Sequence, residues 1–186
     1  MGTPAAVKVG PGLLYVAPIG TTEPTTVSAA LPSAWVPIGY TDTGSIFNSA
    51  MTYEDIEVAE ELDPIRTTAT KRVISVTFSM AEINAQNWNV AFNGGTITGP
   101  TTGFVTFEPP ALGSEQRLML VWNSDDAQER LLCRRVVQVG SLAIPRGKAP
   151  AKAVIPVDFR LEKPTDSSAV FKLWQPASLS YDDTHS

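Results

Sequence analysis

The 186-residue chain carries 14 Lys/Arg against 19 Asp/Glu, a formal charge of −5, with 43% hydrophobic residues, 15 Pro, 13 Gly, one Cys and one His. The length suits one domain with a sizeable core, and scattered Pro and Gly divide it into short elements joined by turns, which points to β structure. An acidic chain repels nucleic-acid phosphate, the single Cys133 permits neither an internal disulfide nor a multi-thiolate metal site, and His185 beside the chain end is a poor base for a catalytic triad.

Residues 1–11 read as a polar, Pro-containing arm, without the charged start and apolar run of a signal peptide. No stretch approaches the roughly eighteen consecutive apolar residues of a membrane span. The protein is therefore expected to be soluble and made in a cytoplasm. Gly12 to Gly20 reads as a first strand, and residues 21–34, TTEPTTVSAALPSA, as a loop or insertion. Trp35 to Thr41 is an edge or bulged strand, because Pro37 has no N–H for a ladder, and Thr43 to Phe47 continues the ribbon after a turn. From Thr52 onward, Ile56 and Val58 alternate with Asp55 and Glu57, as in a strand with one wet face. Six of the ten residues from Glu54 to Asp63 are acidic. Asp63-Pro64 then interrupts regular structure, which predicts an acidic hairpin connection over residues 59–69.

The clearest pattern follows. Ile74, Val76, Phe78 and Met80 alternate with Val73, Ser75, Thr77 and Ser79, the period of a half-buried strand with the first row in the core. Ser79 and Glu82 have capping-box spacing, and Ala81 to Phe92 run without Gly or Pro until Gly94 and Gly95, which predicts one helix. Its apolar stripe (Ile83, Trp88, Ala91, Phe92) is narrow, and its amide face (Asn84, Gln86, Asn87, Asn89) is expected to meet a neighbouring subunit.

Residues 96–102 read as a turn, Phe104 to Phe107 as a short strand and residues 108–113 as a Pro-rich turn. Arg117 to Trp122 is apolar on both faces, the mark of a central strand. Arg130 to Val139 is a long strand in which Arg134 and Arg135 each need a carboxylate or a wet face. After a Gly/Pro loop, Lys152 to Glu162 alternates again, with Ile155, Val157, Phe159 and Leu161 inward. Val170 to Gln175 is a last strand and residues 176–186 a polar tail. The sum predicts a mainly β fold in one domain, a β-sandwich or open barrel of about eight strands with one flanking α-helix.

Charge is uneven along the chain: residues 1–129 hold five Lys/Arg and fourteen Asp/Glu, residues 130–186 nine and five. Acidic and basic faces that meet between copies would set register. No GxxxxGK[ST], GxGxxG or HExxH occurs, so no catalytic, cofactor-binding or metal residue is assigned, and no cofactor is expected.

The acidic hairpin EDIEVAEELDPIRT, the strand-to-helix stretch ATKRVISVTFSMAEINAQNWNVAFNGG, the late strand VIPVDFRLE and the phrase WVPIGYTDTGSIFNS resemble the major tail tube proteins of long-tailed bacteriophages. The resemblance implies a structural virion protein in the phage tail, assembled in the host cytoplasm, whose hexameric rings stack into a tube that conducts DNA. By that analogy the strands near residues 52–58, 70–80, 130–139 and 152–162 form an inner sheet. Asp55, Glu57, Ser75, Thr77, Asp158 and Arg160 would line the bore. Glu60, Glu61, Asp63, Ile65 and Arg66, with Asn84 and Asn87 on the helix, would contact other subunits and rings. Partners implied are further copies of the chain, a tape-measure protein, tail terminator or distal tail proteins, and genomic DNA passing without specific binding; no membrane is involved. The residues alone also fit a β-sandwich binding module, carbohydrate-binding or capsid-decorating, with Trp35, Trp122 and Trp174 as an aromatic platform.

Overall fold

The computed structural model describes residues 10–57, 63–101, 103–148, 152–166 and 168–176. Within them the elements are β1 (Leu13–Pro18), β2 (Val36–Pro37), β3 (Thr41–Ile56), β4 (Arg66–Met80), α1 (Ala85–Ala91), β5 (Thr96–Thr101), β6 (Phe104–Glu108), β7 (Leu118–Asn123), β8 (Arg130–Gln138), β9 (Ile155–Leu161) and β10 (Phe171–Trp174). The fold is the mainly β class, open and sandwich-like with one flanking helix, that the sequence pattern predicts.

One antiparallel sheet runs in the order β2-β1-β7-β8-β9-β4-β3, and β10 also pairs with β8. Along a single edge of β8, β10 takes residues 130–133 and β9 takes residues 136–138. Strand β8 is thus the corner at which the sheet turns, so that both halves face a common core. Leu14, Leu118 and Leu120 from one half meet Val76, Phe78 and Phe159 from the other. Fully burying side chains of this size contributes about 1.5–3 kcal/mol each. The row Ile74, Val76, Phe78 and Met80 is buried, as is Ile155, Val157, Phe159 and Leu161. Period-2 alternation fixed both correctly because each strand has one face on this core.

The outer face of β1, β7 and β8 is covered too. Ala17, Met119, Val121 and Leu132 form a second cluster with Trp35, and Leu31 packs on it. Residues 21–34, expected as a loop, contain no strand or helix, yet they close this face. Trp35 Nε1–H donates to the Thr22 carbonyl at 3.2 Å. Arg130, only 5% exposed, donates to Asn123 Oδ1 at 2.7 Å and to the carbonyls of Thr26 and Ala29 at 2.9 and 2.8 Å. The apolar-both-faces reading of β7 is explained by these two layers.

Several boundaries differ from the sequence reading. The segments expected at Thr43 to Phe47 and from Thr52 are one strand, β3, with register shifts at Thr41/Ser45 and Thr52/Tyr53 that absorb its irregularities. Strand β4 starts at Arg66, so residues 66–69 belong to the ladder rather than to the connection. The turn expected at residues 96–102 is β5, paired with β6 in a two-stranded sheet whose register shift spans Gly99 and Pro100, where an edge position tolerates them.

The helix begins at Ala85, not Ala81. Ser79 lies in β4 opposite Pro156 and cannot cap; Asn84 does, its Oδ1 accepting the Asn87 N–H at 2.8 Å. Glu82 instead accepts the Tyr40 N–H at 3.0 Å. At the far end Asn93 (φ 57°) and Gly94 (φ 113°) turn left-handed, as the glycine stop predicted. Asn93 exchanges two hydrogen bonds with the Gln138 backbone, at 2.8 and 2.7 Å, and so docks the helix on β8. Trp88 and Phe92 stack at 5.6 Å and both meet Phe107, which fixes the β5–β6 hairpin against the helix.

Candidate assembly surface

The β3–β4 hairpin dominates the surface. Strand β9 pairs with β4 only from Ser75 to Met80, so β4 from Arg66 to Ile74 is held by β3 alone. At about 3.3 Å per residue, the nine steps from Ser75 back to Arg66 carry the hairpin roughly 30 Å beyond its last support. Strand β3 is the last strand of the sheet, and its outer edge pairs with no described strand over sixteen residues. Ile46, Met51, Tyr53 and Ile56 on it are about half exposed or more, Ile46 at 67%. A long free edge with exposed apolar side chains is a template for strand addition or an interface.

Among the residues expected at contacts, Asp63, Ile65 and Arg66 lie exposed at the far end of this hairpin, Ile65 at 58%. Glu60 and Glu61 lie outside the described residues. Asn84 is exposed and caps the helix. Asn87 corrects the expected amide face: it is 1% exposed, and its side-chain N–H groups donate to the Ile38 and Glu82 carbonyls at 3.0 and 2.8 Å. Buried amides must find partners inside, and this one ties β2's exit to the helix start.

The residues expected along a bore fall as follows. Ser75 pairs with Arg160 and Thr77 with Asp158, and Asn48 and Ile46 of β3 stand opposite Ser75 and Thr77, so these side chains share the face turned away from the core. Asp55 does not share this face: it is an odd number of residues along β3 from Asn48, and beyond the Thr52/Tyr53 shift it stands opposite Thr67, whose hydroxyl donates to it at 2.7 Å, eight residues along β4 from Ser75. Glu57 follows β3 and is exposed. One carboxylate oxygen of Asp158 is buried without a hydrogen-bond partner among the described residues, and a Cβ on Gly140 would come within 2.9 Å of the Asp158 Cβ. Asp158 is thus partly roofed by the Val139–Gly140 segment.

Arg134 and Arg135 both find the carboxylate that their strand position demands. Arg134 forks onto Glu23 at 2.6 and 3.0 Å, which holds its guanidinium even more firmly protonated than usual. Arg135 donates to Glu162 at 2.8 Å, and Arg117 reaches the same carboxylate at 3.2 Å. These hydrogen bonds, Arg135's foremost, hold Glu162 below its ordinary pKa. The partners were not legible from sequence, because Glu23 and Glu162 lie far from the arginines along the chain.

The aromatic platform is not assembled. Trp35 is buried in the second cluster, Trp122 donates its indole N–H to the Pro11 carbonyl at 2.9 Å, and Trp174 packs on Leu132's layer beneath Lys172. Among the described residues, no three His, Cys, Asp or Glu side chains converge as a metal site requires. Cys133 is fully buried, and burial pushes its thiol pKa up to about 12.

A sandwich with a long edge that pairs with no described strand, and with a projecting hairpin, is a structural β module with a surface open to strand addition. The sequence profile described as phage tail tube protein matches residues 2–175, and the chain belongs to that family. It is a structural component of the phage virion tail, and the family's tubes form by self-assembly. No curated protein matches the chain.

Proposed function

We propose that six copies of this chain, each acting as a single tail-tube-like domain, close into a ring and that stacked rings form the conduit through which phage DNA passes. The observation that carries the reading is that the four long strands expected in an inner sheet, β8, β9, β4 and β3, are neighbours in that order, and that the outer edge of β3 pairs with no described strand. Six copies of four strands at about 4.8 Å spacing give a circumference on the order of 115 Å before tilt, hence a bore roughly 37 Å across, wide enough for duplex DNA. Ring closure covers the β3 edge that an isolated copy leaves open.

In this reading Ser75, Thr77, Asp158 and Arg160 line the bore as a polar face without a concentrated positive charge, so phosphate slides rather than binds. Asp55 and Glu57, far out on the hairpin, stand nearer a ring boundary, with Glu60, Glu61, Asp63, Ile65 and Arg66 beyond them as contacts to another copy. Asn84 remains a helix contact. The tube would enclose a tape-measure protein during assembly, end on terminator and distal tail proteins, and need no cofactor or catalysis. Negative-stain microscopy of the concentrated protein tests this. Six-fold rings or hollow tubes are expected, and discrete monomers or trimers at all concentrations would refute it in favour of a binding module.

A further inference from the structure

At the root of the hairpin the core-facing row of β4 continues past Ile74 to Arg72, beyond the last residue paired with β9. There Arg72, Ile74, Leu161, Lys163 and Val170 line a cavity of about 250 Å³. Ile74 and Leu161 are buried, so the floor is apolar, whereas Arg72 and Lys163 are exposed at the rim. Among the described residues, no acidic side chain lines the cavity and neither cation has an ion-pair partner.

The far end of the hairpin has the opposite character. Ile56 and Ile65 stand exposed at 47% and 58% among Glu54, Glu57 and Asp63, with Arg66 as the one cation among the described residues there. Glu54 stands opposite Thr68, four residues from Arg72 and so about 13 Å away, too far to neutralise the root of its own hairpin. Glu54 and Ile56 lie on the opposite face of the hairpin from Arg72, because Arg72 stands opposite Met51 and the extra residue at the Thr52/Tyr53 shift is Thr70 of β4.

We propose that the acidic, apolar end of one copy's hairpin docks in the basic-rimmed cavity of a second copy, Ile56 on the apolar floor and Glu54 and Glu57 against Arg72 and Lys163. The proposal rests on the self-assembling tube reading and names its socket. Opposite charges at the two ends fix register and reject a wrong partner, while the apolar floor supplies contact area. Tip meets root, so the contact is heterologous and propagates from copy to copy.

Charge reversal tests it. The socket variant Arg72→Glu/Lys163→Glu has an acidic tip and an acidic socket, and the tip variant Glu54→Lys/Glu57→Lys has a basic tip and a basic socket. Each alone is expected to need at least about tenfold more protein for half-maximal assembly than the wild type, because like charges then face each other. Mixed in equal amounts, they are expected to recover assembly, since each tip then meets a complementary socket and copies alternate. Light scattering and negative-stain images provide the readout, with circular dichroism confirming that each variant is folded. If a reversal variant does not fold, the neutral pairs Arg72→Gln/Lys163→Gln and Glu54→Gln/Glu57→Gln replace them, and their assembly is expected to lose most of the wild type's salt dependence. Unimpaired assembly of either variant alone, or no recovery on mixing, overturns the socket while wild-type tubes leave the ring reading intact. A wild type that stays monomeric overturns both.

Discussion

Arg130 is a residue away from the apolar core whose removal is expected to do substantial damage. Its guanidinium is buried and makes three hydrogen bonds to neutral oxygens, two of them backbone carbonyls of residues 21–34. Burial lowers its pKa from the ordinary guanidinium value, yet the group stays charged at any working pH. Charge-assisted bonds are worth about 1.5–3 kcal/mol each, so Arg130→Met forfeits roughly 4.5–9 kcal/mol gross. Part of that is offset: a buried charge is no longer desolvated, and loosening of residues 21–34 lets water reach the two carbonyls. A net loss of about 3 kcal/mol is expected, which for a domain of this size is a fall of roughly 6–12 °C in melting temperature. Arg130→Lys keeps the charge but not the planar fork, and is expected to recover less than half. Scanning calorimetry of the dissociated protein gives the magnitude. Hydrogen exchange gives the mechanism: the Trp35 amide, which bonds the Pro32 carbonyl at 3.0 Å, should lose protection first. A melting temperature within about 2 °C of wild type, or unchanged exchange at Trp35, would refute the idea that this arginine holds the cover in place.

Asn87→Asp should destabilise by about 3 kcal/mol or more, because a carboxylate would face the Ile38 and Glu82 carbonyls, and urea denaturation reads the loss directly. Glu162 has a folded-state pKa below its ordinary 4.5, so its contribution is full above the unfolded value and disappears as pH falls through the folded one. Glu162→Gln is accordingly expected to flatten the stability curve on the acid side of pH 4.5 and leave Arg117 and Arg135 unpaired, as a melting series from pH 6 to pH 3 would reveal. Cys133, buried with its pKa near 12, should resist thiol reagents at pH 8 until the sandwich opens, so labelling rate against denaturant should track unfolding; rapid labelling of the native protein would contradict its position.

What the sequence displayed was the alternation of single-faced strands. Ile74 to Met80 and Ile155 to Leu161 are legible because each row has one side in the core and the other on a polar face. The helix was legible as an element but not in its start, since Ser79–Glu82 and Asn84–Asn87 have the same spacing five residues apart. The competition was decided by a tertiary pairing, β4 to β9 as far as Met80, which keeps Ser79 extended. The merging of β3 was hidden for a related reason. Its outer half carries Asn48, Ser49, Thr52 and Asp55 with no sheet beyond it, so no core imposes a hydrophobic rhythm there. The arginine partners depend on contacts across more than 25 residues, which local pattern cannot report.

These failures fall together on the parts of the chain turned outward. Within the sandwich, burial writes a period into the sequence; on the projecting hairpin and the β3 edge, the partner that would write one is another molecule. Exposed Ile46, Met51, Tyr53, Ile56 and Ile65 are costly to leave in water and belong to neither core cluster. They make sense if the surface that selects them belongs to a neighbouring copy, as expected of a tail tube protein family that self-assembles. On the ring reading proposed above, β3 and the first half of β4 are the elements in which assembly, rather than folding, would set the choice of residues.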